Sequence, residues 1–245
     1  MSEEKEFNKY KKRGAYHWEQ ATRNVYTMNS YVQARYRIVC RLIKKHVACP
    51  TAELLDVGCG DGALSGLLAR QGYRMYGVDP SIDGIRCANK KFRQNGLQGV
   101  FQNIAGYVYP FPEGTFDAVV CSDVIEHVNE PLALLRESRR VLKPGGIMIV
   151  STPIRIQGLP ISPYHVQEWT VDEFSSLCQQ VYSGTLETCL SHPLLAERAY
   201  NLPVKYLQRI VRIPIILLFL VGVNIFDNAS MGDFQMQTLV LQKDK

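Results

Sequence analysis

The chain has 245 residues, 46% of them hydrophobic and 21% charged, with a formal net charge of +5. These proportions suit one well-buried globular unit and exclude a disordered or fibrous chain. Seven cysteines, an odd number with no C-x-x-C pair, argue against a disulfide framework or a cysteine zinc site and point to a reducing compartment.

Residues 1–28 form a polar, aromatic-rich leader without an apolar core segment, so no secretory signal is expected and the chain is expected to be cytoplasmic. From Asn29 to about Val47, apolar residues at Val32, Val39, Leu42, Ile43 and Val47 recur at helical spacing. Residues 1–48 are therefore expected to form an N-terminal helical cap. Basic residues cluster in Lys11-Lys12-Arg13 and along that helix at Arg35, Arg37, Arg41, Lys44 and Lys45. They read as a solvated face, with a phosphate or an anionic membrane surface as the alternative.

From Glu53 onward strand and helix patterns alternate. The expected elements are a strand ending near Val57, a helix over Ala63–Arg70, a strand over Arg74–Val78, a helix over Ile82–Gln94 and a strand over Val100–Gln102. Strands at Ala118–Ser122 and Ile147–Ser151 follow, with a helix over Pro131–Val141 between them. Such alternation implies a parallel sheet covered on both faces, a core expected to span 49–192. Thr170-Val171-Asp172-Glu173 is a capping box with Trp169 and Phe174 as a hydrophobic staple, so a helix starts there. Thr185–Leu190 and Met236–Leu241 read as two further strands, the second within a final segment 234–245.

Between them, residues 193–233 form an insert too long for a hairpin loop. Lys205, Arg209 and Arg212 lead into the apolar run from Ile213 to Val223, interrupted by Pro214 and Gly222. That run is shorter than the ~20 residues needed to span a bilayer. It is expected to be a lid or packed helix, with membrane-surface contact through 205–226 as the second reading.

The chemistry concentrates in Asp56-Val57-Gly58-Cys59-Gly60-Asp61-Gly62-Ala63, a strand end, a glycine turn and a helix start. Glycines there allow positive φ and remove the Cβ atoms that would hold a ligand away from the backbone. Gly58, Gly60 and Ala63 also satisfy the dinucleotide spacing, so the glycines alone leave a nicotinamide oxidoreductase open. Asp56, just before the turn, would repel a pyrophosphate and suits a ligand carrying an ammonium group.

This segment resembles the first motif of the class I S-adenosylmethionine (SAM) dependent methyltransferases. The resemblance continues through Gly77-Val78-Asp79, Phe116 to Val128, and Val141 to Val150, covering roughly residues 50 to 155 in the family's order. It implies a Rossmann-like, seven-stranded, mostly parallel sheet with helices on both faces. The last strand would be antiparallel; the N-terminal helical lid and the helical insert between the last two strands come from the periodicity and segment lengths above. It also implies SAM as cofactor, with Asp56, Gly58, Cys59, Gly60, Asp79, Pro80, Asn103, Ile104, Ser122 and Asp123 at its site and Asp79 on the ribose hydroxyls. The chain departs from the family after the third strand, where Gln102-Asn103-Ile104-Ala105 replaces the usual acid for the adenine amino group. That contact would fall to backbone or to Asn103.

Asp123-Val124-Ile125-Glu126-His127 resembles the ubiquinone-pathway O-methyltransferases, some of which hold a divalent cation on an acid-x-x-Glu-His set. No metal is expected; Asp123, Glu126 and His127 would be the ligands if one were bound. His165, in Pro163-Tyr164-His165-Val166-Gln167-Glu168-Trp169, resembles the His-x-x-Glu-aromatic segment of small-molecule methyltransferases. His165 and His127 are the candidate catalytic residues, because an imidazole could take the proton of an acceptor hydroxyl. Tyr16, His17 and Trp18 could close over the acceptor or pack as aromatics.

The resemblance implies an enzyme that methylates an oxygen, or else a nitrogen, of a small-molecule or lipid-linked acceptor. A non-catalytic SAM-binding protein, an RNA methyltransferase and a nicotinamide oxidoreductase are the alternatives. Nucleic acid is not an expected partner, because no RNA-binding module and no asparagine-proline-proline-aromatic motif accompany the core.

Overall fold

Leu54 and Leu55 are neighbours in the first strand, both are fully buried, and they enter different hydrophobic cores. Alternate residues of a strand point to opposite faces, so this sheet is covered on both sides. A computed structural model describes residues 9–21, 27–155, 162, 164–193, 211, 213–218, 223, 225–227 and 234–245.

Among the described residues, three helices precede the sheet: α1 (Lys9–Arg13), α2 (Tyr16–Gln20) and α3 (Ser30–His46). Asn29 caps α3 by accepting from the Tyr31 and Val32 amides. The sheet and its helices then run β1 (Glu53–Val57), α4 (Ala63–Ala69), β2 (Arg74–Asp79), α5 (Ile82–Gln94), β3 (Gly99–Asn103) and β4 (Phe116–Ser122). After a 3-10 turn at Ile125–His127 come α6 (Pro131–Val141), β5 (Leu142–Pro153), α7 (Val171–Gln179), β6 (Thr185–Pro193) and β7 (Phe234–Gln242).

The strand order is β3-β2-β1-β4-β5-β7-β6. The first five strands are parallel to their neighbours, and β7 lies antiparallel between β5 and β6. The chain winds outward from β1 in one direction and from β4 in the other, so the crevice beyond their carboxyl ends is the switch point where ligands bind. The capping box at Thr170 and Glu173 forms as the sequence predicts, and the Trp169 and Phe174 rings pack at 5.6 Å.

Strand β5 is longer than the expected Ile147–Ser151, because pairing with β7 carries it as far as Pro153 against Met236. In the insert, residues 213–218 are helical. Ile215 is buried against Ala34 and Phe226, while Ile213, Leu217 and Leu218 are exposed. Lys205, Arg209 and Arg212 lie outside the described residues. No helix among the described residues is long and apolar enough to cross a membrane.

Candidate active site

The glycine turn leaves β1 with Gly58, Gly60 and Gly62 all at positive φ (71°, 52° and 73°). Most of its amides are consumed within the protein. Gly58 and Cys59 donate to the Val78 carbonyl at 2.8 and 3.1 Å, Gly60 donates to Asp79 Oδ2 at 2.8 Å, and Gly62 donates to the Cys59 carbonyl at 2.8 Å. The Ala63 amide, at the start of α4, bonds to Asp61. A pyrophosphate needs such amides free, so the turn offers little of the anion-binding face of a dinucleotide site.

Three buried carboxyl groups surround it instead. Asp56 accepts from the Ser65 hydroxyl at 2.6 Å, and burial pushes its carboxyl up to about 7. Asp61 is likewise pushed up to about 7 by burial. Asp79 accepts from Gly60 on one oxygen and from the Ser81 amide at 2.7 Å on the other, and burial raises its carboxyl too. A cationic ligand would draw out their ionised forms, so the three carboxyls suit positive charge.

The Cys59 side chain turns into the core against Gly77, so only its backbone faces the turn. Asn103 donates its amide nitrogen to the carbonyls of Asp79 and Pro80 at 2.9 and 2.8 Å. Its Oδ1 remains as the acceptor for a ligand. The neighbouring Ile104 amide bonds the Asp79 carbonyl at 3.2 Å, and Pro80 is exposed at the rim.

Across the crevice, β4 ends at Ser122, whose hydroxyl meets Ser151 Oγ at 3.0 Å. Asp123 follows in the left-handed region at φ 56°, and Arg35 of α3 pairs with it at 2.7 Å. Arg35 therefore does not lie on a solvated basic face. Elsewhere on α3, Lys45 pairs with Glu187 at 2.8 Å and Arg41 reaches Cys189. Glu126 is buried, accepts from the Thr152 hydroxyl at 3.3 Å, and has its carboxyl raised by burial and by Asp123.

Two imidazoles close this side, with ring centroids 4.8 Å apart in an edge-to-face arrangement. His127 donates from Nδ1 to the Tyr164 carbonyl at 2.9 Å. His165 meets the buried Glu168 carboxylate through Nδ1 at 2.5 Å. A carboxylate on Nδ1 fixes the tautomer and leaves Nε2 able to accept a proton, the orientation a general base requires.

Asp123, Glu126 and His127 do not come together as a ligand set. The ligand atoms that converge, within 4.8 Å of one another, belong to Glu126, His127 and His165, while Asp123 is held by a guanidinium. A hard divalent ion demands several oxygen ligands, and with Arg35 on Asp123 only Glu126 of this cluster offers a carboxylate.

The leader packs over the glycine turn. Trp18 Nε1 donates to the Asp61 carbonyl at 2.5 Å, and the His17 amide donates to Asp61 Oδ2 at 2.9 Å. His17 is driven down to about 3 by burial and by Arg35, so its 3.8 Å approach to Asp61 is not an ion pair. Tyr16 packs beside it, with ring centroids 4.0 Å apart. Tyr10, absent from the sequence-based candidates, lies so close to the turn that a Cβ on Gly60 would overlap its hydroxyl. Lys9 reaches the other wall, 4.9 Å above the Tyr164 ring. Helix α1 thus roofs the crevice.

Asp61, Arg35 and Tyr10 are the residues that sequence reasoning missed. Arg35 carried a readable signal: with Val32, Val39 and Leu42 it falls on the apolar stripe of α3, where a lone charge needs a partner.

Residues 55–150 match the model of a methyltransferase domain. A ubiquinone biosynthesis O-methyltransferase of Xanthomonas campestris is 37% identical over 112 residues, which cover 45% of this chain and 46% of that one. The chain spans about half the length of the curated relatives it matches. Among solved structures, a putative sarcosine dimethylglycine methyltransferase from Galdieria sulphuraria aligns with TM-score 0.63 at 18% identity, covering 87% of this chain and 86% of that one. The [4+2]-cyclase SpnF aligns with TM-score 0.62 at 20% identity, covering 85% and 80%. At such identities these two likenesses speak for the fold alone. In the matched segment, the strand order and the acid-flanked glycine turn, the chain is similar to class I SAM-dependent methyltransferases.

Proposed function

We propose that this chain is an enzyme that transfers the methyl group of SAM to a hydroxyl oxygen of a small-molecule or lipid-linked acceptor. The observation that carries this reading is the His165–Glu168 pair, held across the crevice from the acid-flanked glycine turn. SAM would lie along that turn, where Asp56, Asp61 and Asp79 suit its positive charge and Asn103 Oδ1 suits the adenine amino group. The remaining donor contacts fall to Gly58, Gly60, Pro80, Ile104, Ser122 and the backbone of Cys59.

Transfer is an in-line displacement. The acceptor oxygen forms the O–CH3 bond as the S–CH3 bond breaks, and the sulfur keeps the electron pair as S-adenosylhomocysteine leaves. His165 Nε2 takes the acceptor's proton, and Glu168 stabilises the imidazolium that results. The roof of α1 excludes water from the donor. Exposed Ile213, Leu217 and Leu218 on the insert favour an acceptor or a surface with apolar character, including peripheral contact with a membrane.

The test is mass spectrometry of cell extracts incubated with the full chain and SAM carrying an isotopically labelled methyl group. The expected result is a labelled product that His165→Ala fails to form. A labelled product formed equally well by that variant would remove His165 from the mechanism. SAM bound in calorimetry with no product from any extract would favour a non-catalytic SAM-binding protein.

A further inference from the structure

Arg35 is an unusual residue for its place. It sits on the buried stripe of α3 with its side chain 20% exposed, and it reaches across the crevice to Asp123, itself 15% exposed, at 2.7 Å. Its guanidinium also lies 5.5 Å from the centre of the Tyr31 ring. Asp123 is the only described residue besides His192 that takes a positive φ without being glycine. That conformation costs an L residue energy and persists only where its surroundings impose it.

The other acid of the loop, Glu126, is also within the electrostatic reach of Arg35. Two acids and an imidazole within five residues of sequence could attract a divalent cation. Here the positive charge comes from the fold itself. A guanidinium stays charged at every relevant pH and can hold a carboxylate geometrically, as a lysine ammonium cannot.

We propose that Arg35 is a positioning residue whose guanidinium takes the place of a divalent cation beside Asp123 and Glu126. It ties the loop after β4 to α3, shapes the acceptor side, and makes cation binding there unnecessary. Its role in positioning rests on the proposed methyl transfer. The substitution of a side chain for a cation does not, and it can be tested without any acceptor.

The experiment is a Mn2+ titration of the full chain followed by electron paramagnetic resonance. It compares the wild type with Arg35→Gln, Arg35→Lys and the double variant Arg35→Gln/Asp123→Asn. The wild type and Arg35→Lys are expected to leave the spectrum of free Mn2+ unchanged. Arg35→Gln, which leaves the acids without their counter-charge, is expected to bind Mn2+ roughly tenfold more tightly or better, and the double variant to lose that gain. Circular dichroism and S-adenosylhomocysteine binding identify variants that fold.

A folded Arg35→Gln that ignores Mn2+ overturns the proposal. So does a wild type that binds Mn2+ as tightly as the variant. If Arg35→Gln fails to fold, the wild type decides against Asp123→Asn: Mn2+ binding that this substitution abolishes overturns the proposal, and silence in both supports it. Loss of methyl transfer in every protein, with these cation responses intact, would refute the proposed function and leave this inference standing.

Discussion

Asp56 is 3% exposed and has one hydroxyl partner, Ser65, so the fold holds a carboxyl group where its ionised form is poorly solvated. Its folded value near 7 lies above the ordinary 3.8. Between about pH 4 and pH 7 the folded chain therefore keeps a proton that the unfolded chain has lost, and stability from this group drains away as pH rises through that window. Asp56→Asn retains an acceptor for Ser65 without the charge. It should raise the melting temperature at about pH 8, by roughly 1–2 kcal/mol of stability, and change little at about pH 5. The wild type's affinity for SAM should rise between about pH 6 and pH 8, and the same variant should bind SAM more weakly in calorimetry and lack that rise. An Asp56→Asn variant that melts below the wild type at the higher pH would contradict this account. For the base, His165→Ala should lower kcat by about 10²–10⁴-fold with SAM affinity unchanged, the usual range for a proton-transfer group. Glu168→Gln, which weakens orientation without removing the imidazole, should cost less, measurable by the same labelled-product assay. His165 was legible through the resemblance of its segment to a His-x-x-Glu-aromatic pattern, which also contains Glu168. The contact between Arg35 and Asp123 was not, because it joins residues 88 positions apart in sequence through tertiary packing alone.

Helix α1 has only five described helical residues, too few to be stable by themselves. It is held by what it touches: Tyr10 against Gly60 and Gly84, and Lys9 over Tyr164. Helix α2 is anchored more firmly, through Trp18, which fills the space beside Gly66 and stands edge-on to Phe92 at 6.1 Å. A ligand in the crevice would add contacts under this roof. S-adenosylhomocysteine should accordingly slow tryptic cleavage at Lys11, Lys12 and Arg13, as followed by mass spectrometry, and Trp18→Ala should abolish the protection while costing about 3 kcal/mol of stability or more. Equal cleavage with and without ligand would detach the leader from the donor site. The helices over Ile82–Gln94 and Pro131–Val141 were legible to the residue because each has an apolar stripe and a start signal, Ser81 accepting from the Gly84 amide and Pro131 at the first turn. Strand β5 and the docking of α1 and α2 were not. Their limits are set by partners distant in the chain, β7 in one case and the glycine turn in the other, and no local pattern encodes those contacts.

At the scale of the molecule, the half-buried His17 and the buried His192 pin the peripheral parts to the core, and both are held neutral. His17 joins the leader to Asp61 through its backbone amide and is driven to about 3 by burial. His192, at the end of β6, donates from Nε2 to the Tyr31 carbonyl at 3.0 Å and accepts on Nδ1 from Ser191 at 2.9 Å. It stacks on Phe226 with centroids 5.5 Å apart and is likewise driven to about 3 by burial. A histidine whose folded value lies below the unfolded 6.5 takes up a proton on unfolding. Stability from His17 and His192 is therefore full above about pH 6.5 and is lost as pH falls below it. The acids around the glycine turn have the opposite sign, since Asp56 and Asp61 are pushed up and the folded core is relieved when they protonate. Mild acid should thus loosen the leader and the β6 edge while the parallel core around β1 and β4 holds. Hydrogen exchange at about pH 5 and pH 7.5, corrected for intrinsic rates, should show protection falling first in α1, α2 and β6. His192→Asn, which cannot be protonated, should remove the pH dependence at the β6 edge and leave that of the leader in place. Uniform loss of protection across β1, β4 and the leader would instead mean that the molecule opens as one unit, and that neither histidine acts as a separate pin.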